Sequence, residues 1–167
     1  RLILIAALTA LSVLGRILFA PIPSFKPVTA MVVITAMYFG SEAGFLTGAL
    51  SAILSNIWFG QGAWTPFQMF AWGFVGFLAG LLAAPLKKSR LLLAVYGILS
   101  GVLYSFLMDI WTVLFIDGYF NFPRYLAAIV SAAPVTATYA VSNVIFLLLL
   151  APPIGRILTR IKTKYAL

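Results

Sequence analysis

The fold is decided by the stretch NIWFGQGAWTPFQMFAW, residues 56–72. It lies in an uncharged run at residues 43–86, about twice the roughly 20 residues that one helix needs to cross a bilayer. The chain must therefore turn within this run. Gly60 and Gly62 supply the backbone freedom for a turn, and Pro66 suits the first turn of a new helix. The stretch therefore predicts two helices joined by a polar, Trp-rich hinge.

The composition predicts an all-α integral membrane protein. The 167 residues are 63% hydrophobic and 8% charged, with a mean hydropathy of +1.12, too apolar for a soluble domain of this size. Continuous apolar runs, rather than short alternating segments, argue against a transmembrane barrel. The absence of Cys and His excludes disulfides, thiolate or imidazole metal sites and the usual nucleophile–base pairs. We therefore predict no enzyme activity, no metal site and no permanently bound cofactor.

Apolar runs and helix breakers divide the chain into six predicted membrane-spanning helices of a single domain, residues 1–167. The approximate spans are 2–19, 28–39, 42–58, 65–84, 91–115 and 125–150. Pro134 is expected to bend or break the last helix, and Pro152 with Pro153 to follow its end. Because the sequence begins with Arg1 rather than Met, we expect a short segment to precede it.

Basic residues predict the orientation. With six spans, eight of the eleven fall on one side: Arg1, Lys87, Lys88, Arg90, Arg156, Arg160, Lys162 and Lys164. The positive-inside rule then places both termini in the cytoplasm of a plasma-membrane protein, with the hinge facing outward. Five spans would put the basic clusters on opposite sides. The net charge of +8 is thus interpreted as a topology signal rather than a nucleic-acid site, and residues 154–167 as a helix end at anionic lipid headgroups.

Polar and aromatic side chains gather at the predicted outward end, and we take them as candidates for a substrate-binding pocket. They are Arg16, Lys26, Asn56, Gln61, Trp64, Thr65, Phe67, Gln68, Trp72, Asp109, Trp111, Tyr119, Asn121, Arg124, Tyr139 and Asn143. Aromatic walls with a few hydrogen-bonding groups suit a large, uncharged or weakly charged organic molecule. The alternative for the Trp residues is an aromatic belt at the membrane interface.

Two of these candidates have specific alternatives. Asp109, a carboxylate inside a predicted span, is expected either to contact ligand or to form a salt bridge with Arg16 or Arg124. Tyr139 and Asn143 are spaced i, i+4 and share a helix face. They could form the floor of a pocket or an interhelical hydrogen bond, and we favour the hydrogen bond.

The chain is transport-like but has no recognisable source of energy. It contains no nucleotide-binding motif, no charged relay within its spans and no two-fold repeat of the kind expected in a secondary transporter. Small residues recur at helical spacing, as in Ala6 and Ala10, and let helix backbones approach closely in lipid. If the protein moves a molecule, the energy must come from a partner.

Several motifs together resemble the substrate-binding S components of energy-coupling factor (ECF) transporters. They are the Ala6-x-x-x-Ala10 pair, Gly-Arg at 15–16, PVTA at 27–30 and GQGAWTPFQMFAWG at 60–73. The long block at 60–73 is the most specific of these, and the resemblance covers essentially the whole chain. Within the family, the chain looks most like the cobalamin (vitamin B12) type.

The resemblance implies a six-helix membrane subunit of an ECF-type ABC importer. Such a subunit captures a vitamin from outside, here cobalamin or a related corrinoid. It docks through Ala6 and Ala10 on a membrane coupling subunit powered by two cytoplasmic ATPases, and it topples to release the vitamin inside. Two alternatives remain: an S component for a smaller vitamin, such as thiamine, riboflavin or a queuosine precursor, and a membrane scaffold subunit without a ligand.

Overall fold

The computed structural model describes residues 1–166 and folds them into a bundle of α-helices. These are α1 (Leu2–Leu18), α2 (Val28–Phe39), α3 (Ser41–Phe59), α4 (Thr65–Leu81), α5 (Ala83–Lys88), α6 (Arg90–Asp117) and α7 (Phe122–Tyr165). By length and composition, α6 and α7 could each cross a membrane, while α1, α2 and α4 are shorter apolar helices.

Helix α2 forms the centre of the bundle. Its side chains are apolar or small all round, and those of Val32, Val33, Ile34 and Ala36 have no exposed surface. A helix that is apolar on every face is stable only where other helices cover all of it. Helices α1, α3, α4 and α7 do so here.

Helices α3 and α4 form a tight hairpin because glycine backbones touch where they cross. A Cβ added to Gly48 would come within 2.5 Å of the Trp72 carbonyl carbon, and one added to Gly44 would lie 2.6 Å from the Gly76 carbonyl oxygen. The chain reverses after Gly60, whose φ of +110° favours glycine. The hairpin therefore holds the hinge residues in a fixed position.

Residues near the N-terminus and the C-terminus both form hydrogen bonds with α2 at the same end of the bundle, which we call the terminal end. The Arg1 guanidinium donates to the Phe39 carbonyl at 3.0 Å, and the Lys162 amine donates to the Tyr38 carbonyl at 2.7 Å. Both acceptors belong to the last turn of α2, whose carbonyls have no helical partner and attract cations. The loops at residues 19–27, 60–64 and 118–121 lie at the opposite end.

The prolines of α7 do not interrupt it, so the predicted break at Pro134 and the predicted helix end before Pro152 are both wrong. Pro152 lacks the N–H that would bond the Leu148 carbonyl, but the Arg90 guanidinium donates to that oxygen at 3.1 Å. Neighbouring helices can thus replace the hydrogen bonds that a proline removes. The predicted helix at 65–84 also ends earlier, at Leu81, and the short α5 follows it.

Candidate ligand-binding site

A chain of polar side chains connects four helices at the end opposite the termini. Arg16 of α1 donates through one guanidinium nitrogen to Ser55 Oγ at 2.5 Å and to Asn56 Oδ1 at 2.8 Å. The Asn56 amide donates to Gln68 Oε1 at 2.7 Å, and the Gln68 amide donates to the Tyr104 hydroxyl at 3.0 Å. Asn56, Gln68 and Tyr104 are buried, so each bond forms away from bulk water and orients its neighbours.

Aromatic rings from α4, α6 and α7 pack beside this polar chain. Trp72 and Tyr104 stack with their centroids 5.2 Å apart and their planes 15° from parallel, and Tyr139 meets Tyr104 edge-on at 5.5 Å. The Arg16 guanidinium lies 5.1 Å from the Trp72 ring centroid and 4.4 Å from that of Phe59. Cations are attracted to ring faces at these distances.

Lys26 adds a second cation to the cluster from the loop at 19–27. Its amine lies 5.7 Å from the Trp72 centroid and 5.3 Å from that of Tyr139. Its backbone N–H donates to Ser142 Oγ at 3.0 Å, and the Ser142 hydroxyl donates back to the Lys26 carbonyl at 3.2 Å. This pair of bonds attaches the loop to α7. Burial, followed by the nearby charge of Arg16, lowers the pKa of Lys26 to about 7.

Arg16 and Lys26 have no carboxylate partner within residues 1–166. The one ion pair of this range joins Arg124 to Asp117 at 2.6 Å. Glu42 lies in the first turn of α3, at the terminal end. Asp109 pairs with neither arginine, so the predicted alternative of a salt bridge is wrong. The cluster therefore holds two cations against aromatic faces, an environment that suits hydrogen-bond acceptors or negative charge on a ligand.

The hinge residues form their own small network beside the cluster. The Thr65 hydroxyl donates to Gln61 Oε1 at 3.0 Å and accepts from the Asn56 amide at 3.2 Å. Gln61 also donates to a carbonyl of the preceding helix at 2.8 Å. Trp64 meets Trp111 edge-on with centroids 6.3 Å apart. Thr65 thus connects the hinge to the cluster through Asn56.

The predicted residues around the turn between α6 and α7 lie apart from this network. Tyr119 is 63% exposed, and the Asn121 carboxamide accepts from the Arg124 backbone N–H at 3.3 Å, which caps α7. Asp109 has one carboxylate oxygen that is buried without a hydrogen-bond partner in the described part of the chain. A role for these residues in binding stays a prediction.

Two further candidates make contacts of other kinds: Asn143 bonds between helices, and Phe67 contacts a residue of its own helix. The Asn143 amide donates to the Gly97 carbonyl and to Ser100 Oγ, each at 3.2 Å, which is the interhelical bond favoured above. Phe67 lies against Phe70, with centroids 6.2 Å apart. Neither residue takes part in the polar chain around Arg16.

Four residues of the cluster were not singled out from the sequence: Ser55, Phe59, Tyr104 and Ser142. Tyr104 carries the clearest signal, because Tyr104 and Trp111 are spaced i, i+7 on one face of α6. Ser55 precedes Asn56 directly, but its hydroxyl also donates to the Ser51 carbonyl at 2.5 Å, as Ser commonly does within a helix. Spacing alone therefore does not distinguish Ser55 from a serine that bonds only within its own helix.

The two alanines predicted for docking lie on the surface of α1. Ala6 and Ala10 are both exposed, and Ile3 and Leu14, which are 84% and 54% exposed, continue the same face. The face is therefore a shallow strip of small residues between larger apolar ones. A neighbouring helix could approach closely along such a strip.

The chain folds into a bundle of largely apolar helices with a polar and aromatic cluster at one end. A family model described as "ECF-type riboflavin transporter, S component" matches residues 1–160, and the chain therefore belongs to this family. It is a substrate-specific subunit of an ECF transporter, and S components work with coupling and ATPase modules. The match names riboflavin and gives no support to the cobalamin type. No curated protein and no solved structure matches the chain.

Proposed function

We propose that this protein captures riboflavin, or a closely related flavin, at the cluster formed by Arg16, Lys26, Gln68, Trp72 and Tyr104. The name of the matching family supports riboflavin over cobalamin. The observation that carries the proposal is the pair of cations, Arg16 and Lys26, held against the Trp72 ring without a carboxylate partner among the described residues.

The chemistry of the cluster fits a flavin ring. Isoalloxazine is flat and aromatic, and its pyrimidine edge carries two carbonyl oxygens and a ring nitrogen (N1) that accept hydrogen bonds, beside an N–H group (N3) that donates one. Trp72 and Tyr104 stack on each other and are buried, so a flavin would enter beside the Trp72 ring, where the Arg16 guanidinium and the Lys26 amine offer donors. Protein charges beside this edge are a recognised means of binding and tuning flavins.

The size of the cluster also favours a flavin over a corrinoid. Arg16 lies 5.1 Å and Lys26 5.7 Å from the same Trp72 ring. A corrinoid contains several times as many atoms as riboflavin and would need these side chains to move far apart. A flat tricyclic ring needs them to separate by about the thickness of one aromatic ring.

We propose further that six helices span the membrane, with both termini in the cytoplasm and the ligand site facing outward. The short α5 would lie at the cytoplasmic surface, and the other six helices would cross the bilayer. The basic side chains support this orientation. Arg1 and Lys162 both lie at the terminal end, where they bond the last carbonyls of α2, and the Lys87 amine lies 4.6 Å from the Tyr38 ring.

The transport step requires partners. In the proposal, the exposed strip with Ala6 and Ala10 docks on a membrane coupling subunit, and two cytoplasmic ATPases drive the release of the vitamin inside. The exposure of both alanines supports this role because packing within the bundle does not occupy them.

Riboflavin fluorescence provides the test, because stacking on Trp or Tyr quenches it. The purified protein in nanodiscs is titrated with riboflavin, and cobalamin, cobinamide and thiamine are compared by thermal shift. We expect saturable quenching with riboflavin and no shift with the others. A shift with the corrinoids alone would restore cobalamin as the substrate. No shift with any of them would favour a scaffold role or another ligand.

A pair of matched variants tests the site itself. Arg16→Met removes the guanidinium from the cluster, and Lys88→Met removes a positive charge at the terminal end, far from the cluster. Hydrogen bonds to charged groups contribute about 1.5–3 kcal/mol, so Arg16→Met should weaken riboflavin binding roughly 10- to 150-fold. Lys88→Met should change it less than about threefold. Equal losses in both variants would place the site elsewhere.

A further inference from the structure

We propose that a groove beside Tyr38 at the terminal end binds the phosphate of an anionic lipid headgroup. The inference goes beyond riboflavin capture, although it uses the proposed placement of this end at a bilayer surface. The groove has a volume of about 560 Å³, in the range of small-molecule sites. Its lining includes Tyr38, Gly155, Arg156, Thr159, Arg160 and Lys164.

The cations in this groove are not used to hold the fold together. Arg1, Arg90 and Lys162 donate to carbonyls of α2 and α7, as described above. By contrast, Arg156 and Arg160 form no hydrogen bond or ion pair with other side chains or carbonyls among residues 1–166. They are spaced i, i+4, so both guanidinium groups project from one face of α7. They can therefore converge on a single phosphate.

Tyr38 gives the groove a defined wall. Its hydroxyl packs directly against Gly155, where any Cβ would collide with it. The Lys87 amine lies 4.6 Å from the centroid of the Tyr38 ring. Burial, followed by the like charge of Lys162, lowers the pKa of Lys87. An adjoining groove of about 480 Å³ shares Tyr38 and adds Lys87 and Lys162.

The side chains next to the groove indicate a lipid rather than a free anion. Leu149 and Pro153 lead into Arg156 and Arg160 along one exposed face of α7, at spacings of four, three and four residues. Leu149 is 65% exposed. A lipid presents acyl chains and a phosphate in this same order across the interface. A soluble phosphate would have no favourable contact with Leu149 and Pro153, the apolar part of this face.

The preference of the protein for an anionic over a zwitterionic lipid tests the proposed binding. The protein in a neutral detergent is titrated with phosphatidylglycerol or phosphatidylcholine of identical acyl chains, and bound lipid is counted by native mass spectrometry. We expect phosphatidylglycerol to bind at least about 30-fold more tightly. Arg156→Gln/Arg160→Gln should remove roughly 30-fold of this preference, because each basic side chain adds about a fivefold preference for an anionic surface. Lys88→Gln/Arg124→Gln removes the same charge outside the groove and should retain the preference.

A second variant tests the geometry without changing the charge. Gly155→Ala displaces the Tyr38 hydroxyl and should also lower the preference for phosphatidylglycerol. Heat denaturation in the neutral detergent checks that every variant is folded. Because the assay contains no riboflavin, its result is independent of the proposed vitamin.

Three results would overturn the inference. The first is an equal loss of lipid preference in the groove and control double variants. The second is competition by glycerol phosphate as effective as that by the lipid, which would indicate a site for soluble phosphate. The third is unchanged lipid preference in Arg156→Gln/Arg160→Gln together with lost copurification of the coupling and ATPase subunits, which would assign the groove to an acidic partner surface.

Discussion

Lys26 should give ligand binding and protein stability opposite dependences on pH. Burial near Trp72 and Tyr139, and then the charge of Arg16, lower its pKa to about 7. In the proposed site, the protonated amine is the form that donates to the flavin edge. Raising the pH through 7 removes this charge, so we expect the affinity for riboflavin to fall.

The size of the effect follows from the protonated fraction of Lys26. This fraction is about 0.9 at pH ~6 and about 0.1 at pH ~8, and the apparent Kd rises as the competent fraction falls. The Kd should therefore increase about tenfold, or about 1.4 kcal/mol. Stability changes the other way. Between pH 7 and the ordinary lysine pKa, the unfolded chain binds more protons, so the free energy of unfolding of the empty protein rises with pH.

The assay is a riboflavin fluorescence titration between about pH 6 and 8.5, paired with heat denaturation of the empty protein over the same range. Lys26→Met should bind weakly with a Kd that does not change with pH. Arg16→Met removes the neighbouring positive charge, so the pKa of Lys26 should rise and the remaining pH dependence should move upward.

Two outcomes would refute the reasoning. A wild-type Kd that stays constant over this pH range would show that the charged amine of Lys26 does not contact the ligand. A Lys26→Met curve that follows the wild-type curve would assign the titration to another group.

Three other changes test the fold and the docking strip. Tyr104→Phe leaves the Gln68 amide without its acceptor and should lower the free energy of unfolding by about 1–3 kcal/mol, seen in denaturant titration, while fluorescence quenching by the ring is retained. Gly48→Ala should lower the free energy of unfolding by about 3 kcal/mol or more, because its Cβ would lie 2.5 Å from backbone atoms of α4. Gly97→Ala is the control: its Cβ would first meet a side chain, at 3.1 Å, so the loss in the same titration should be much smaller. Ala10→Leu should leave riboflavin binding intact and reduce copurification with the coupling subunit, and equal copurification would contradict the docking role.

The turn between α3 and α4 could be predicted because its cause is local. An uncharged run too long for one helix must reverse, and Gly60 adopts a φ of +110°, which other residues resist. The behaviour of Pro152 could not be predicted in this way. Its effect depends on Arg90, which lies 58 residues from the Leu148 carbonyl that it bonds. At Pro152, a distant group thus replaces the donor that the proline lacks.

The candidate site likewise contains residues that the local sequence predicts and residues that depend on long-range packing. Arg16, Asn56, Gln68 and Trp72 are unusual in an apolar sequence, so composition alone selects them, and the structure brings them together. Tyr104 joins them because of how α4 packs on α6, and its i, i+7 spacing to Trp111 is a sequence signal that does not by itself separate it from an interfacial tyrosine. Asp109 shows the converse: its charge within an apolar helix is equally unusual, but it takes no part in the polar chain around Arg16.

The unbroken helix α7 mechanically couples the two ends of the protein. Tyr139 and Ser142 belong to the ligand cluster, while Gly155 and Lys162 contact Tyr38 at the terminal end. From Ser142 to Lys162 the helix is about 30 Å long, so a tilt of about 10° at the ligand site would displace the terminal end by about 5 Å. In the arrangement proposed above, a tilt of α7 caused by ligand would thus appear as a lateral movement at the terminal end.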